Sequence, residues 1–323
     1  MSQAAEVFQA EVRPATLGGT ALALALLLLL VIGGLVLSAP DQAKWIVLVS
    51  ATFPITSVLL QSGIERLLPA AGPRKSWQQW LLHFQVNTFF SFMRMAMPVA
   101  TFLSVAAIAR NFGFELGIFD LRLDDGRSIV LLIAALWLAS VIGDFFFYWY
   151  HRWTHVNKFL WQHHKMHHTD TELEAISTAR QNWMEAVLNS FFITAPMIVL
   201  FKVDPLEQWH AGLAAAIAAA VLNNLLTLSH MNVRLHTGWF ARFWCGPQNH
   251  RIHHSLEPQH IDKNFAFMFP MWDVIFGTYY HPQKGEFPAT GVHGEPGFDS
   301  FWEAEIYSQR EMWKWLKRRK AAS

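Results

Sequence analysis

Three stretches of this chain run for about twenty residues without a charge, and they limit what it can fold into. Thr16 to Ala39 is 24 uncharged residues, Trp45 to Ile64 is 20 and Ala211 to Ser229 is 19. A helix rising about 1.5 Å per residue needs about 20 apolar residues to cross a hydrocarbon core of about 30 Å. Met95–Ala109 (interrupted by Pro98), Ser128–Gly143 and Ala186–Phe201 are shorter apolar candidates. The charged share is 15%, against roughly 25% for soluble domains. The pattern predicts an all-α, multi-pass membrane protein. The first run is read as a spanning helix rather than a signal peptide. Glu6 and Glu11 precede it against a single Arg13, and it is too long for a signal's apolar region.

Two function classes drop out at once. A net charge of +1 gives no footprint for nucleic acid. The single cysteine, Cys245, forms no intrachain disulfide and reads as a small buried thiol.

Lysine and arginine set the predicted orientation. Arg66, Arg74 and Lys75 follow the second apolar run, and Arg310, Lys314, Lys317, Arg318, Arg319 and Lys320 crowd the C-terminal tail. Both fall on the cytoplasmic side if the segments near 17, 45, 85, 128, 186 and 211 all span, with Ala186–Phe201 the segment most open to a shallow hairpin. The basic tail reads as an interfacial segment against anionic headgroups. A helix starting at Ser128 emerges near Tyr148, so His151 sits just past the cytoplasmic boundary. His164, His167 and His168 lie on that side, and the chain returns there at His230 before His250, His253 and His254. Histidines a hundred residues apart thus converge on one membrane face.

Their spacing is that of helices. His151 and His155 in HRWTH are i and i+4, sharing a stripe with Asp144 and Tyr148. HKMHH (His164, His167, His168) and HRIHH (His250, His253, His254) each repeat i, i+3, i+4. With His230, nine imidazoles would be costly to desolvate together without a metal. Neutral imidazole suits iron, zinc, copper or nickel. Nine ligands overfill one ion and suit two catalytic ions with open positions. His83, His210, His236, His281 and His293 read as ordinary interfacial residues, and His163 and His260 as ambiguous neighbours.

The stretches DFFFYWYHRWTH, LWQHHKMHH, NHRIHHS and FPMWDVIFGTYY resemble the integral-membrane fatty acid hydroxylase and sterol desaturase superfamily, over roughly Ser128 to Tyr280. The resemblance implies a di-iron centre, O2 as co-substrate, and attack on an unactivated C–H bond of a lipid drawn from the bilayer. Carried onto this sequence, it implies metal ligation by His151, His155, His164, His167, His168, His230, His250, His253 and His254. Asp144 stands as a supporting residue behind the ligands, Arg180 and Glu185 as residues that either fix the hairpin or support the ligands from behind, and Asn264 and Asp273 as structural. Arg234 stands where some relatives carry a further histidine, and Ala266 where a glycine is common. The chain has no HPGG-type haem motif, so electrons are expected from a separate ferredoxin, cytochrome or reductase.

The expected organisation is transmembrane helices and loops over residues 1–127, a hydroxylase-like catalytic domain over 128–285 forming a cytoplasmic helical cap with the dimetal site, and a basic tail over 286–323. Hydroxylation and desaturation begin with the same hydrogen abstraction, and family frequency favours the former. A metal-dependent membrane hydrolase or a metal transporter are the alternatives. The first lacks a glutamate inside a histidine pair, and the second expects ionisable groups in mid-membrane. A reporter fused after Lys320 is expected to signal from the cytoplasm; an external signal overturns this topology.

Overall fold

The computed structural model describes residues 41, 44–120, 129–202 and 228–322. The apolar run 16–39, and nearly all of 211–229, lie outside the described residues. Long helices dominate: α1 (Lys44–Leu67), α2 (Trp77–Phe112), α3 (Ile129–Val156), α4 (Lys158–His168) and α9 (Phe301–Ala322). Between them come α5 (Trp183–Asn189), which runs through a π turn at Ser190–Thr194 into α6 (Ala195–Leu200), and the short α7 (Pro247–His253) and α8 (Met271–Ile275). The departures from an all-α fold among the described residues are a two-residue parallel pairing of Phe119–Asp120 with Phe201–Lys202 and an isolated antiparallel bridge between Ser255 and Thr290.

Two described helical stretches, Trp77–Phe112 and Trp183–Leu200, are long and apolar enough to cross a membrane. Only 6% of the most apolar window of α2 is buried inside the protein. Apolar residues left outside a fold point to lipid as their solvent. Val99, Phe102, Leu103 and Ile108 of α2, and Trp137 and Leu138 of α3, are exposed in this way.

Pro98 does not interrupt α2, contrary to the sequence reading. The helix starts at a capping box, in which Ser76 Oγ accepts from Gln79 N at 3.3 Å and Gln79 Oε1 accepts from Ser76 N at 2.8 Å. It ends at Gly113 in the left-handed conformation (φ 71°). With both ends capped, helix extends well beyond Met95–Ala109 on either side. A second proline acts differently. Pro196 has no N–H for the carbonyl of Phe192, and the helix widens just before it, with Ala195 N bonding Ser190 O.

Asn157 makes the sharpest turn. Its extended backbone (φ −85°, ψ 111°) stops α3, and its side chain accepts from Phe159 N at 3.0 Å and Leu160 N at 3.1 Å to start α4. The last turns of α3 therefore fold back along α4. Helix α9 braces α4 from the other side. Lys165 bonds Glu295 at 2.7 Å and Glu311 at 3.0 Å, while Ser308 Oγ donates to His163 O at 3.0 Å.

A buried ion pair fastens α4 to the loop before α2. Lys75 Nζ meets both oxygens of Asp170 at 2.7 and 2.9 Å and also bonds Glu172 O. Burial works to raise the Asp170 carboxyl, but Lys75, His83 and Arg180 outweigh it and hold it well below the ordinary range. The stabilisation is then complete above the ordinary value of 3.8 and is lost as the solution is acidified below it. Lys75→Met strands a buried carboxylate and is expected to cost about 3–5 kcal/mol. The double variant with Asp170→Leu is expected to recover part of that loss. Thermal unfolding in detergent, followed by tryptophan fluorescence, checks both.

Candidate metal centre

Nine histidines from α3, α4, α7 and the segment at His230 come together in two adjoining groups. His151, His155, His164, His168 and His253 form one; His167, His230, His250 and His254 form the other. Within each group one nitrogen from every ring lies within 4.8 Å of all the others. These are the nine positions that the sequence singled out. His167 and His168, adjacent on α4, join different groups.

The ring nitrogens face one another in a way that hydrogen bonding does not explain. His151 Nδ1 lies 2.7 Å from the carbonyl of Phe265, and His253 Nδ1 lies 2.8 Å from that of Lys263. A carbonyl only accepts, so in each neutral ring the proton sits on Nδ1 and Nε2 carries a lone pair. Yet His151 Nε2 lies 3.1 Å from His253 Nε2 and 3.1 Å from His164 Nε2. Two lone pairs facing each other at that distance call for a cation to receive them. In the second group His250 Nε2 lies 2.9 Å from His230 Nε2 and 3.0 Å from His254 Nε2. His155 Nε2 and His168 Nε2 are buried with no hydrogen-bond partner among the described residues.

Burial, reinforced by the neighbouring imidazoles, holds His155, His167, His168, His250 and His254 well below the ordinary histidine value. Burial brings His253 down to about 3. Those six rings are thus neutral at physiological pH, the form that ligates metal. The donor set fits transition metals and excludes the hard, oxygen-seeking ions calcium and magnesium.

The supporting residues differ from what their spacing suggested. Asp144 shares the helical stripe of His151 but turns to the loop after α7, accepting from Phe267 N (3.0 Å), Met268 N (3.2 Å) and Phe269 N (2.8 Å). Asp273 grips the same loop, accepting from Phe265 N at 2.7 Å and Ala266 N at 2.9 Å. Together they fix the segment whose carbonyls orient His151 and His253. Arg180 bonds Met166 O and donates to Thr169 Oγ1 at 2.7 Å, so it caps the end of α4 rather than a box histidine. Glu185 lies nearest the ligands. Its Oε2 is 2.5 Å from His163 Nε2 and 3.8 Å from His164 Nδ1, and its Oε1 accepts from Tyr150 at 2.9 Å.

Asn232 and Glu65 carried no sequence signal beyond the SHMN stretch. Asn232 Oδ1 accepts from Ala71 N and Gly72 N at 2.9 and 2.8 Å, and Glu65 Oε2 accepts from Asn232 N and Ala175 N, each at 3.0 Å. They tie the His230 segment to the end of α1. Asn264 (φ 56°) closes the far end of the loop, its Oδ1 accepting from Tyr280 N at 2.8 Å.

A cavity of about 330 Å³ opens onto His151, His164, His167, His230 and His250. It runs between α2, α3 and the stretch from α5 into the π turn, and Phe90, Phe147 and Phe267 line it. At Gly143, on its α3 wall, an added Cβ would meet nothing within 4 Å.

Residues 136–278 match the fatty acid hydroxylase family. The chain is 27% identical to an alkylglycerol monooxygenase of Danio rerio over 180 residues, which is 55% of this chain and 37% of the relative. It is 28% identical to the Homo sapiens alkylglycerol monooxygenase over 147 residues, 44% of this chain and 30% of that one. It is 26% identical to methylsterol monooxygenase 1-3 of Arabidopsis thaliana over 152 residues, 47% and 50% of the two chains. The match to the two alkylglycerol monooxygenases spans only about a third of their length. No solved structure matches the chain.

Asp144→Ala is expected to leave three backbone donors open, one buried and two half-buried, at about 1–3 kcal/mol for the buried Met268 N and less for the other two. It is also expected to lower metal content by loosening the loop behind His151 and His253. Thermal unfolding and elemental analysis of the purified protein check the two effects.

Proposed function

Because this chain is a member of the fatty acid hydroxylase and sterol desaturase superfamily across residues 136–278, we propose that it is a di-iron, O2-dependent monooxygenase of membrane lipids. The observation that carries the reading is the facing pair of Nε2 lone pairs on His151 and His253, with both Nδ1 protons committed to backbone carbonyls. His151, His155, His164, His168 and His253 would hold one iron, and His167, His230, His250 and His254 the other. Bound iron supplies the redox chemistry that activates O2 against an unactivated C–H bond.

The protein's own residues do the rest. Backbone carbonyls of Phe265 and Lys263 aim two ligands, and Glu185 steadies His164 through the neighbouring His163. Phe90, Phe147 and Phe267 keep water from the reacting end of an alkyl chain lying in the cavity. The opening between α2 and α5, both in stretches suited to span, supports delivery of the substrate from the bilayer. One oxygen atom goes to the lipid and the other to water, with two electrons and two protons from a separate donor. The multi-pass topology, with the metal centre as a cap on the cytoplasmic face and the basic end of α9 at the headgroups, rests on the distribution of lysine and arginine. A hydrolase or a transporter is not favoured. Both groups are built of histidine alone, with no carboxylate base among them, and the alkylglycerol and methylsterol relatives are named as monooxygenases.

The test compares total lipids, by mass spectrometry, from cells producing the wild type or His164→Ala with an electron donor supplied. A lipid gaining one oxygen in the wild type alone is the expected result, together with loss of iron in the variant. A lipid losing two hydrogens instead overturns hydroxylation in favour of desaturation. Full activity in His164→Ala overturns the ligand assignment.

A further inference from the structure

The cavity carries one charge that the oxidation chemistry leaves unused. Arg94 lies on the face of α2 shared with Phe90 and Pro98, four residues from each, and its side chain lines the cavity with theirs. It sits near the middle of the 36-residue α2, about 25 Å along the axis from either end. That places it on the cavity wall, where its side chain is exposed rather than packed into the protein. Among the described residues it makes no hydrogen bond or ion pair. Asp144, the one carboxylate among the described residues on the cavity wall, has both oxygens turned to the backbone of residues 267–269. Pro98 adds to the polarity here, because it has no N–H for the carbonyl of Arg94.

A guanidinium does not give up its proton. It faces a cavity that Phe90, Phe147 and Ile193 also line and that offers it no polar partner among the described residues, and a charge on an apolar helix of this kind marks a function. A planar fork of N–H donors is matched by a carboxylate or phosphate. We propose that Arg94 binds the oxyanion at the polar end of the substrate, so that the cavity selects an anionic amphiphile whose alkyl chain reaches the histidines. This rests on the reading of the cavity as the lipid site of the proposed oxidation. It makes Arg94 a specificity-determining residue, and the distance from Arg94 to the metal centre decides which carbon is presented.

Binding without turnover tests it. Full-length protein in nanodiscs of uncharged phosphatidylcholine is titrated anaerobically with radiolabelled palmitate, 1-palmitoyl-lysophosphatidate and hexadecanol. The wild type is expected to hold at least one of the two anions about tenfold more tightly than the alcohol. Arg94→Gln is expected to bring that preference to within about twofold while leaving alcohol binding unchanged, and Arg94→Lys to keep part of it. Preference for palmitate alone supports the proposal with a carboxylate, and for lysophosphatidate alone with a phosphate. Equal binding of the alcohol by the wild type, or an undiminished preference in Arg94→Gln, overturns it. Should Arg94→Gln fail to fold, the wild-type preference and its reduction in Arg94→Lys still decide. His164→Ala is expected to retain the preference. A preference that needs Arg94, beside a wild type that oxidises no lipid, sinks the oxidation reading and leaves this one standing.

Discussion

The site depends on two imidazole N–H groups being held by backbone carbonyls. His151 and His253 come from helices a hundred residues apart, and each commits its Nδ1 proton to one loop, residues 263–265. That single loop therefore sets two tautomers and two ring orientations. It can do so because it is itself held from behind, by Asp144 on α3 and Asp273 on α8, which between them take five consecutive backbone N–H groups. A loop with five donors tied down cannot slide, and neither can the carbonyls it presents. The two carboxylates are buried for the sake of the backbone, and the order they impose reaches the metal centre through hydrogen bonds alone.

The same logic explains where the charges lie. The nine imidazoles are packed together, and the first ring of groups that touches them is mostly backbone carbonyl, aromatic ring or another imidazole. The strong charges sit one step further out. Lys75 with Asp170 anchors the loops around α4, Arg180 closes its C-terminal end, and Lys165 ties its outer face to α9. Glu185 is the exception, and it reaches the histidines through His163. Neutral donors would leave the positive charge of a bound metal uncancelled.

Much of this was legible in the sequence, for a physical reason. Spacings of three and four residues are the signature of one helix face, so each histidine box announced both its helix and its convergence. Of the apolar segments, Met95–Ala109 and nearly all of Ala186–Phe201 fall in helical stretches long and apolar enough to cross a membrane. Asp144 and Arg180 were visible as unusual charges, but what they touch was not. A stripe position says which way a side chain leaves its helix and nothing of the loop that meets it from residue 267. Sharing of nine ligands into five and four was equally hidden. His167 and His168 are neighbours in sequence yet leave α4 about 100° apart, and only the arrival of α7 and the His230 segment decides which joins which group. Asn157 carried a legible cap signal whose consequence, folding α3 back along α4, is tertiary. Pro98 misled because a proline breaks helices in water, whereas a helix capped at both ends and surrounded by lipid has nowhere better to put its backbone.

Arg94 and Pro98 share that reasoning. In a helix wall that faces lipid, each exposed polar group must be answered from within the protein or by what the protein binds. The described residues answer Asp144 three times over and leave Arg94 unanswered, although both line one cavity. Burying the acid against the backbone while leaving the base open removes the internal partner that would otherwise neutralise the cavity. The wall thus keeps one guanidinium whose donors are unmatched between the bilayer and the histidines. A neutral alkyl chain gains nothing from that charge, whereas an amphiphile with an oxyanion gains both its salt bridge and a fixed register against the metal centre. Specificity and position of attack then follow from one helix face of α2, set apart from the residues that carry out the oxidation.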